Sequence, residues 1–194
     1  MMDTAPDWVV AQMPHGYRTR LTEIKRLSAE LEGMDRIGWL LWKTGDRLKE
    51  ALREVLSALH YDIELQPADA TYDVLVTIDA SRRVLLRLAR AEGVVSKKSP
   101  DLVSVFQTLS EQAGEQDRVV LASNNHVTHD SDDRRPVDAI APDALDLVQR
   151  MGVNFVTTTT LFGIWSISLQ DVNRARAQFE RLHAQNGGAF QLLT

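Results

Sequence analysis

Six cations crowd one short stretch of this chain. Arg82, Arg83, Arg87, Arg90, Lys97 and Lys98 fall between positions 82 and 98, a span that holds a single acid, Glu92. Guanidinium and ammonium groups at that density supply the sequence-independent part of an affinity for phosphates. One chemistry they offer is therefore an anion-binding surface for nucleic acid, a nucleotide or an acidic protein. The other reading is a solvated hairpin whose arginines pair with nearby carboxylates, Asp73 among them. The net charge hides this cluster. With 22 Lys and Arg against 27 Asp and Glu the total is −5, so a local surplus of five leaves −10 for the remainder.

Other side chains carry chemistry of different kinds. His126 and His129, followed by Asp130, Asp132 and Asp133, are ligand types that zinc accepts. Their segment reads as a polar loop with nothing to fix both imidazoles, so no metal site is assigned to it. Asn124 and Asn125 follow a short apolar run, at the kind of strand end where α/β folds place ligands, and are candidate cleft residues. Trp39, Trp42 and Trp165 read as packing residues. The absence of cysteine excludes disulfides, thiolate metal sites and a cysteine nucleophile.

The elements that position these residues follow from hydrophobic period. Tyr17, Leu21, Ile24, Leu27 and Leu31 recur every three or four residues and predict a helix, with Gly33 suited to its end. A short apolar segment, 37–42, is broken by Thr44-Gly45-Asp46. A helix over 46–60 buries Leu48, Leu52, Val55, Leu56 and Leu59. The period then becomes that of strands at 63–65, 74–78 and 84–88. Ser99-Pro100-Asp101 starts a helix to about Gln112, Val119–Leu121 is a buried strand, and 124–138 is a polar loop. Pro142-Asp143 opens a helix to Arg150, and Val153–Val156 forms a strand. Thr157–Thr160 lead into a helix holding Leu161, Phe162, Ile164 and Trp165, and a last helix covers 169–183 before a Gly187-Gly188 tail. The succession describes an α/β fold with an N-terminal helical extension over 1–36, the α/β domain over 37–168, and a C-terminal helix and tail over 169–194. No run approaches the roughly 18–20 apolar residues that span a bilayer. Nor does the N-terminus have the basic start and apolar run of a signal peptide. The expectation is a cytoplasmic protein with no membrane partner.

Several of these residues resemble a known family in their order and spacing. Leu40-Leu41 precede Thr44-Gly45-Asp46 and a helix with Glu50. Asp73 opens an apolar strand, and a hairpin leads to Val84–Leu88. Then come Glu92-Gly93 through Ser96-Lys97-Lys98, Val119–Leu121 with Asn124, Arg135-Pro136, Pro142-Asp143-Ala144-Leu145, and Phe155–Thr158 before Leu161-Phe162. This stretch, about two thirds of the chain, resembles the restriction-endonuclease-like, PD-(D/E)xK superfamily. The resemblance implies a mixed sheet flanked by helices, and a site where acids hold Mg²⁺ beside a scissile phosphate.

In that pattern an Asp opens the second strand, Glu-x-Lys lies on the third, and a helix Glu joins them. Asp73 and Glu50 match. Where Glu-x-Lys is expected the chain reads Arg87-Leu88-Ala89, which puts a cation at a metal-ligand position and a methyl group at the lysine position. The resemblance therefore implies vestigial positions Glu50, Asp73, Arg87 and Ala89, with Asp73 and Arg87 as a structural ion pair and no cofactor. The function it implies is a catalytically inactive pseudo-nuclease domain that binds nucleic acid, another anion or a protein, in a fold that often pairs as a homodimer. Two alternatives stay open. One is an active Mg²⁺-dependent nuclease with a relocated acid or lysine, drawn from Glu92, Lys97 or Lys98. The other is a purely structural dimeric assembly subunit.

Overall fold

Period-two alternation in the middle of the chain sets the layers. In β2 (Val74–Thr77) and β3 (Arg83–Leu88), Val74, Val76, Val84 and Leu86 face one side, and Leu75 and Leu85 face the other. In the computed structural model, which describes residues 7–90, 93–124 and 139–193, these strands lie inside a six-stranded sheet ordered β1 to β6. The other strands are β1 (Asp62–Leu65), β4 (Arg118–Ser123), β5 (Asn154–Thr157) and β6 (Gly188–Ala189). The first three strands pair antiparallel, and β3 through β6 pair parallel.

Parallel neighbours need long crossovers. α4 (Pro100–Glu111) links β3 to β4, and α5 (Pro142–Arg150) lies between β4 and β5. Both helices begin with proline at a position whose N–H has no helical partner in any case. They cover one face of the sheet, with Leu102, Val105, Ala144 and Val148 packing on Leu85, Leu121 and Phe155. α3 (Asp46–Ala58), α6 (Thr158–Ser168) and α7 (Val172–Ala184) cover the other face, where Leu52, Leu56, Leu161, Ile164 and Phe179 meet Val74, Val76 and Leu86. The chain is thus α/β with a mixed sheet. Among the described residues no helix is long and apolar enough to cross a membrane.

The chain divides into two compact units, 1–35 and 36–194. The first holds α1 (Asp7–Gln12) and most of α2 (Tyr17–Gly38). All other elements belong to the second, including the C-terminal stretch that the sequence set apart as 169–194.

Three element boundaries differ from the sequence reading. α2 runs through Gly33 to Gly38, and a 3-10 turn over Trp39–Leu41 follows in place of a separate apolar segment. Gly33 meets no neighbouring atoms, and an interior helical glycine costs only about 1 kcal/mol. The burial of Ile37 at the helix end offsets that cost. The last helix starts at Val172, because the Asp171 side chain caps it by accepting from the Arg174 N–H at 3.0 Å. The Gly187-Gly188 tail is a sheet edge. Gly188 and Ala189 pair with β5, and Phe190 is fully buried. Gly187 has φ +84°, and a Cβ there would lie 2.5 Å from the Gln149 carbonyl oxygen, so only glycine fits.

Candidate functional site

The ends of β2 and β3 bring four charged side chains together. Val74 pairs with Leu86, so the same register sets Asp73 beside Arg87. The ladder frays there in a specific way: the Leu88 N–H donates to Asp73 Oδ2 at 2.9 Å. Lys49, in the first turn of α3, reaches Asp73 Oδ1 with its Nζ at 2.8 Å. Arg87 Nη1 lies 3.5 Å from Asp73 Oδ2, which is the pair expected from the sequence, and also donates to the Ala70 carbonyl at 3.1 Å. On its other side Arg87 Nε faces Asp101 Oδ1 at 3.8 Å, beyond hydrogen-bond length, so this contact is Coulombic. Asp101 Oδ2 accepts from the Arg90 N–H at 3.0 Å. Asp101 stands in the first turn of α4, where the helix dipole favours an anion.

Asp73, Arg87 and Asp101 are 3%, 4% and 1% exposed, so this is a buried set of two cations and two anions. It balances as a set. Removing one member would leave the other three with a net charge, most costly where the residue left behind has no second ionic partner, as Asp101 has none besides Arg87 among the described residues.

A cleft of about 330 Å³ opens over the network. Thr44, Gly45, Asp46, Lys49, Asp73, Ala89 and Arg90 are among its lining residues. Gly45 enters α3 with φ 63° and leaves the helix start without a side-chain cap. The segment before it is tied to the end of β4 by Asn124, whose Nδ2 donates to the Lys43 carbonyl at 2.7 Å. Trp42 precedes that tether and is 54% exposed, so it is not the packing residue that the sequence suggested. Lys43 Nζ sits 3.3 Å from the Trp42 ring centroid, and the Arg47 guanidinium lies 5.6 Å from the Trp39 ring centroid. Trp39 and Trp165 do pack against the core.

The remaining sequence candidates scatter. Glu50 is exposed and lies outside the cleft, and Lys49 occupies the place expected for it. Helical geometry explains the exchange. At about 100° per residue, Lys49 flanks the stripe of Leu48, Leu52 and Leu56, while Glu50 points to the opposite side. That wheel was readable in the sequence and would have found Lys49. Asp101 read only as a helix start, and its role depends on α4 landing beside β3.

Nor do the six cations of 82–98 form one surface. Arg82 and Arg83 lie at the start of β3, about 20 Å from Arg90 beyond its end. Arg82 pairs with Asp79, whose carboxylate also accepts from the Ser81 and Arg82 N–H groups; these bonds hold its pKa far below the ordinary value. Arg83 grips Asp117 through its side chain at 2.5 Å. Burial raises the Asp117 pKa, but the Arg83 side chain and the Gly114 N–H outweigh it, so the net shift is downward. Lys97 faces Asp143 at 3.6 Å, while Lys98 and Arg90 are exposed. Asn125, Glu92, the His126–His129 cluster and Arg135-Pro136 lie outside the described residues.

The donor set does not fit a divalent cation. Both oxygens of Asp73 already face cations, Lys49 and Arg87, and a metal in their place would meet two like charges within a few ångströms. The chain matches no family model, no curated protein and no solved structure.

Proposed function

We propose that this chain is a non-cleaving, endonuclease-like module that binds nucleic acid at the cleft above Asp73. One observation carries the reading: Lys49 and Arg87 bracket the Asp73 carboxylate from both sides. In the restriction-endonuclease-like arrangement the same strand ends gather acids around Mg²⁺. Here two covalently tethered cations take the place of the metal charge, and Ala89 supplies a methyl group where that pattern carries its lysine.

The connectivity supports the fold side of this reading. α3, the antiparallel strands β1 to β3, the crossover α4 and the parallel strand β4 follow in the order that the resemblance implies. Asp73 directly precedes β2, and Arg87 in β3 and Ala89 just after it stand two residues apart. The binding side rests on the cleft rim. Arg90 lines the cleft and is available to a phosphate, and exposed Trp42, in the segment that leads to Gly45 at the cleft, carries the Lys43 ammonium on one ring face and offers the other to a base. An aromatic face beside cations favours nucleic acid over an acidic peptide, which has no base to stack.

Two measurements test the proposal. Labelled single- and double-stranded DNA and RNA are incubated with the protein and Mg²⁺ or Mn²⁺, and no cleavage is expected. Metal-dependent cleavage that disappears in Asp73→Ala would overturn the non-catalytic reading in favour of an active nuclease. Separately, anisotropy of a fluorescein-labelled single-stranded oligonucleotide should report binding that weakens as salt rises. Trp42→Ala and Arg90→Glu should each weaken it several-fold. Absence of binding, or binding indifferent to both substitutions, would refute the nucleic-acid part.

A further inference from the structure

Asn186-Gly187 is the one Asn-Gly step in the chain; the other four asparagines precede Asn, His, Phe and Arg. Asparagine is chemically labile, and a following glycine makes it most so, because no Cβ hinders attack by the next backbone nitrogen. In that reaction the Gly187 nitrogen bonds to Asn186 Cγ and the Cγ–Nδ2 bond breaks. The proton of the Gly187 N–H leaves on the departing ammonia, and a five-membered succinimide remains. Water then adds at one ring carbonyl or the other, giving aspartate or isoaspartate at position 186. Water is the only co-reactant, and Asn186 is exposed to it.

The nucleophile is not free. The Gly187 N–H donates to Asn154 Oδ1 at 2.8 Å. Asn154 is fully buried, and its Nδ2 donates to the Leu182 and Gln185 carbonyls at 2.6 and 3.0 Å, so its amide presents only the oxygen to Gly187. An amide oxygen accepts a hydrogen bond but is too weak a base to draw the proton off. The chain beyond is held as well. Gln185 Nε2 donates to the Gly187 and Gly188 carbonyls at 3.2 and 3.0 Å, and the Gly188 N–H donates to the Val153 carbonyl at 3.0 Å. Ring closure swings the Gly187 nitrogen onto the Asn186 side chain, which breaks its bond to Asn154.

We propose that Asn186 is a latent deamidation site, shut by Asn154 while β6 is paired and opened when β6 leaves the sheet. β6 is two residues long and lies at the sheet edge, the kind of element that opens most cheaply. Conversion makes that opening permanent. Isoaspartate routes the backbone through the side chain and adds one methylene between positions 186 and 187. Gly187 is thereby displaced from Asn154 while Gly188 and Ala189 must keep their register with Asn154 and Phe155. The fraction converted therefore records the time that β6 has spent open.

Mass spectrometry of the full chain tests this. The protein is held at mildly alkaline pH and body temperature, and aliquots are digested with trypsin. The peptide 182–194, in which Asn186 is the sole asparagine, is followed for conversion of amide to acid. A synthetic peptide of the same sequence sets the unprotected rate. The folded chain should convert at least about tenfold more slowly than that peptide. Asn154→Ala and Gln185→Ala should each accelerate conversion in the folded chain at least about threefold, because each removes one hold on Gly187. Circular dichroism shows whether the variants stay folded. Gln185 is half-buried just past the end of α7, so Gln185→Ala decides the matter should Asn154→Ala unfold. Conversion of the parent at the rate of the free peptide would overturn the proposal. So would protection that persists unchanged in Gln185→Ala and in a folded Asn154→Ala.

Discussion

Replacing Arg87 with methionine isolates the charge balance beneath the cleft. Methionine occupies a comparable path through the core but carries no charge and cannot donate to the Ala70 carbonyl. Asp73 would keep two partners, the Lys49 ammonium and the Leu88 N–H. Asp101 would not: among the described residues Arg87 is the cation paired with it, and only the Arg90 N–H on its other oxygen would remain. Asp101 is 1% exposed, so the stranded carboxylate has no route to water. Breaking a buried pair from one side costs about 3–5 kcal/mol. In a domain of this size each kcal/mol lowers the melting temperature by about 2–4 °C, so Arg87→Met should melt about 6–20 °C below the parent. Adding Asp101→Asn removes the stranded charge. The double variant should therefore lose at least about 1.5 kcal/mol less than the sum of the two single losses. Urea titrations followed by circular dichroism give all four stabilities. An Arg87→Met cost under about 1 kcal/mol, or strict additivity in the double variant, would show that the four groups do not act as a balanced set.

Three further outcomes follow from the same structure. Lys49→Met should cost less than Arg87→Met, about 1–3 kcal/mol, since the Lys49 side chain keeps 12% exposure and Asp73 retains Arg87; a larger loss in the same urea titration would contradict this ordering. Burial lowers the pKa of His183 and the charges of Arg118 and Arg82 add to that, against the opposing bond from its Nε2 to the Gln116 carbonyl oxygen. The folded value lies below the unfolded value near 6.5, so the stabilisation is full above about pH 6.5 and is lost as pH falls through the folded value. His183→Gln should accordingly flatten the drop in melting temperature between about pH 7 and 5, and an unchanged slope would sink that assignment. Gly187→Ala meets both a positive φ and the Gln149 carbonyl, so it should cost at least about 1–3 kcal/mol, and thermal melts within 1 °C of the parent would count against the β6 geometry.

Much of the scaffold was legible in local pattern. α3, the three antiparallel strands, α4 and α5 announced themselves through period, caps and prolines, because each element buries one face and the sequence records which one. The errors fell where a distant contact overrode a local signal. Gly33 looked like a helix end but lies inside α2, since nothing crowds it and Ile37 is buried beyond it. Gly187-Gly188 looked like the start of a tail, yet Gly188 and Ala189 close the sheet against β5, a pairing that sequence distance concealed.

The candidate site divides along the same line. Residue types alone put a cation, Arg87, and a methyl group, Ala89, at the end of the third strand, and strand period alone set the two on one face. Tertiary structure decided which charges meet. It brought Lys49 rather than Glu50 to Asp73, lowered Asp101 onto Arg87, and sent Arg82 and Arg83 to Asp79 and Asp117 at the far end of the strand. The physical reason is reach. Coulomb forces between side chains act over a few ångströms, so which cation neutralises which acid depends on where the helices dock, and the spacing of charges along the chain does not contain that distance.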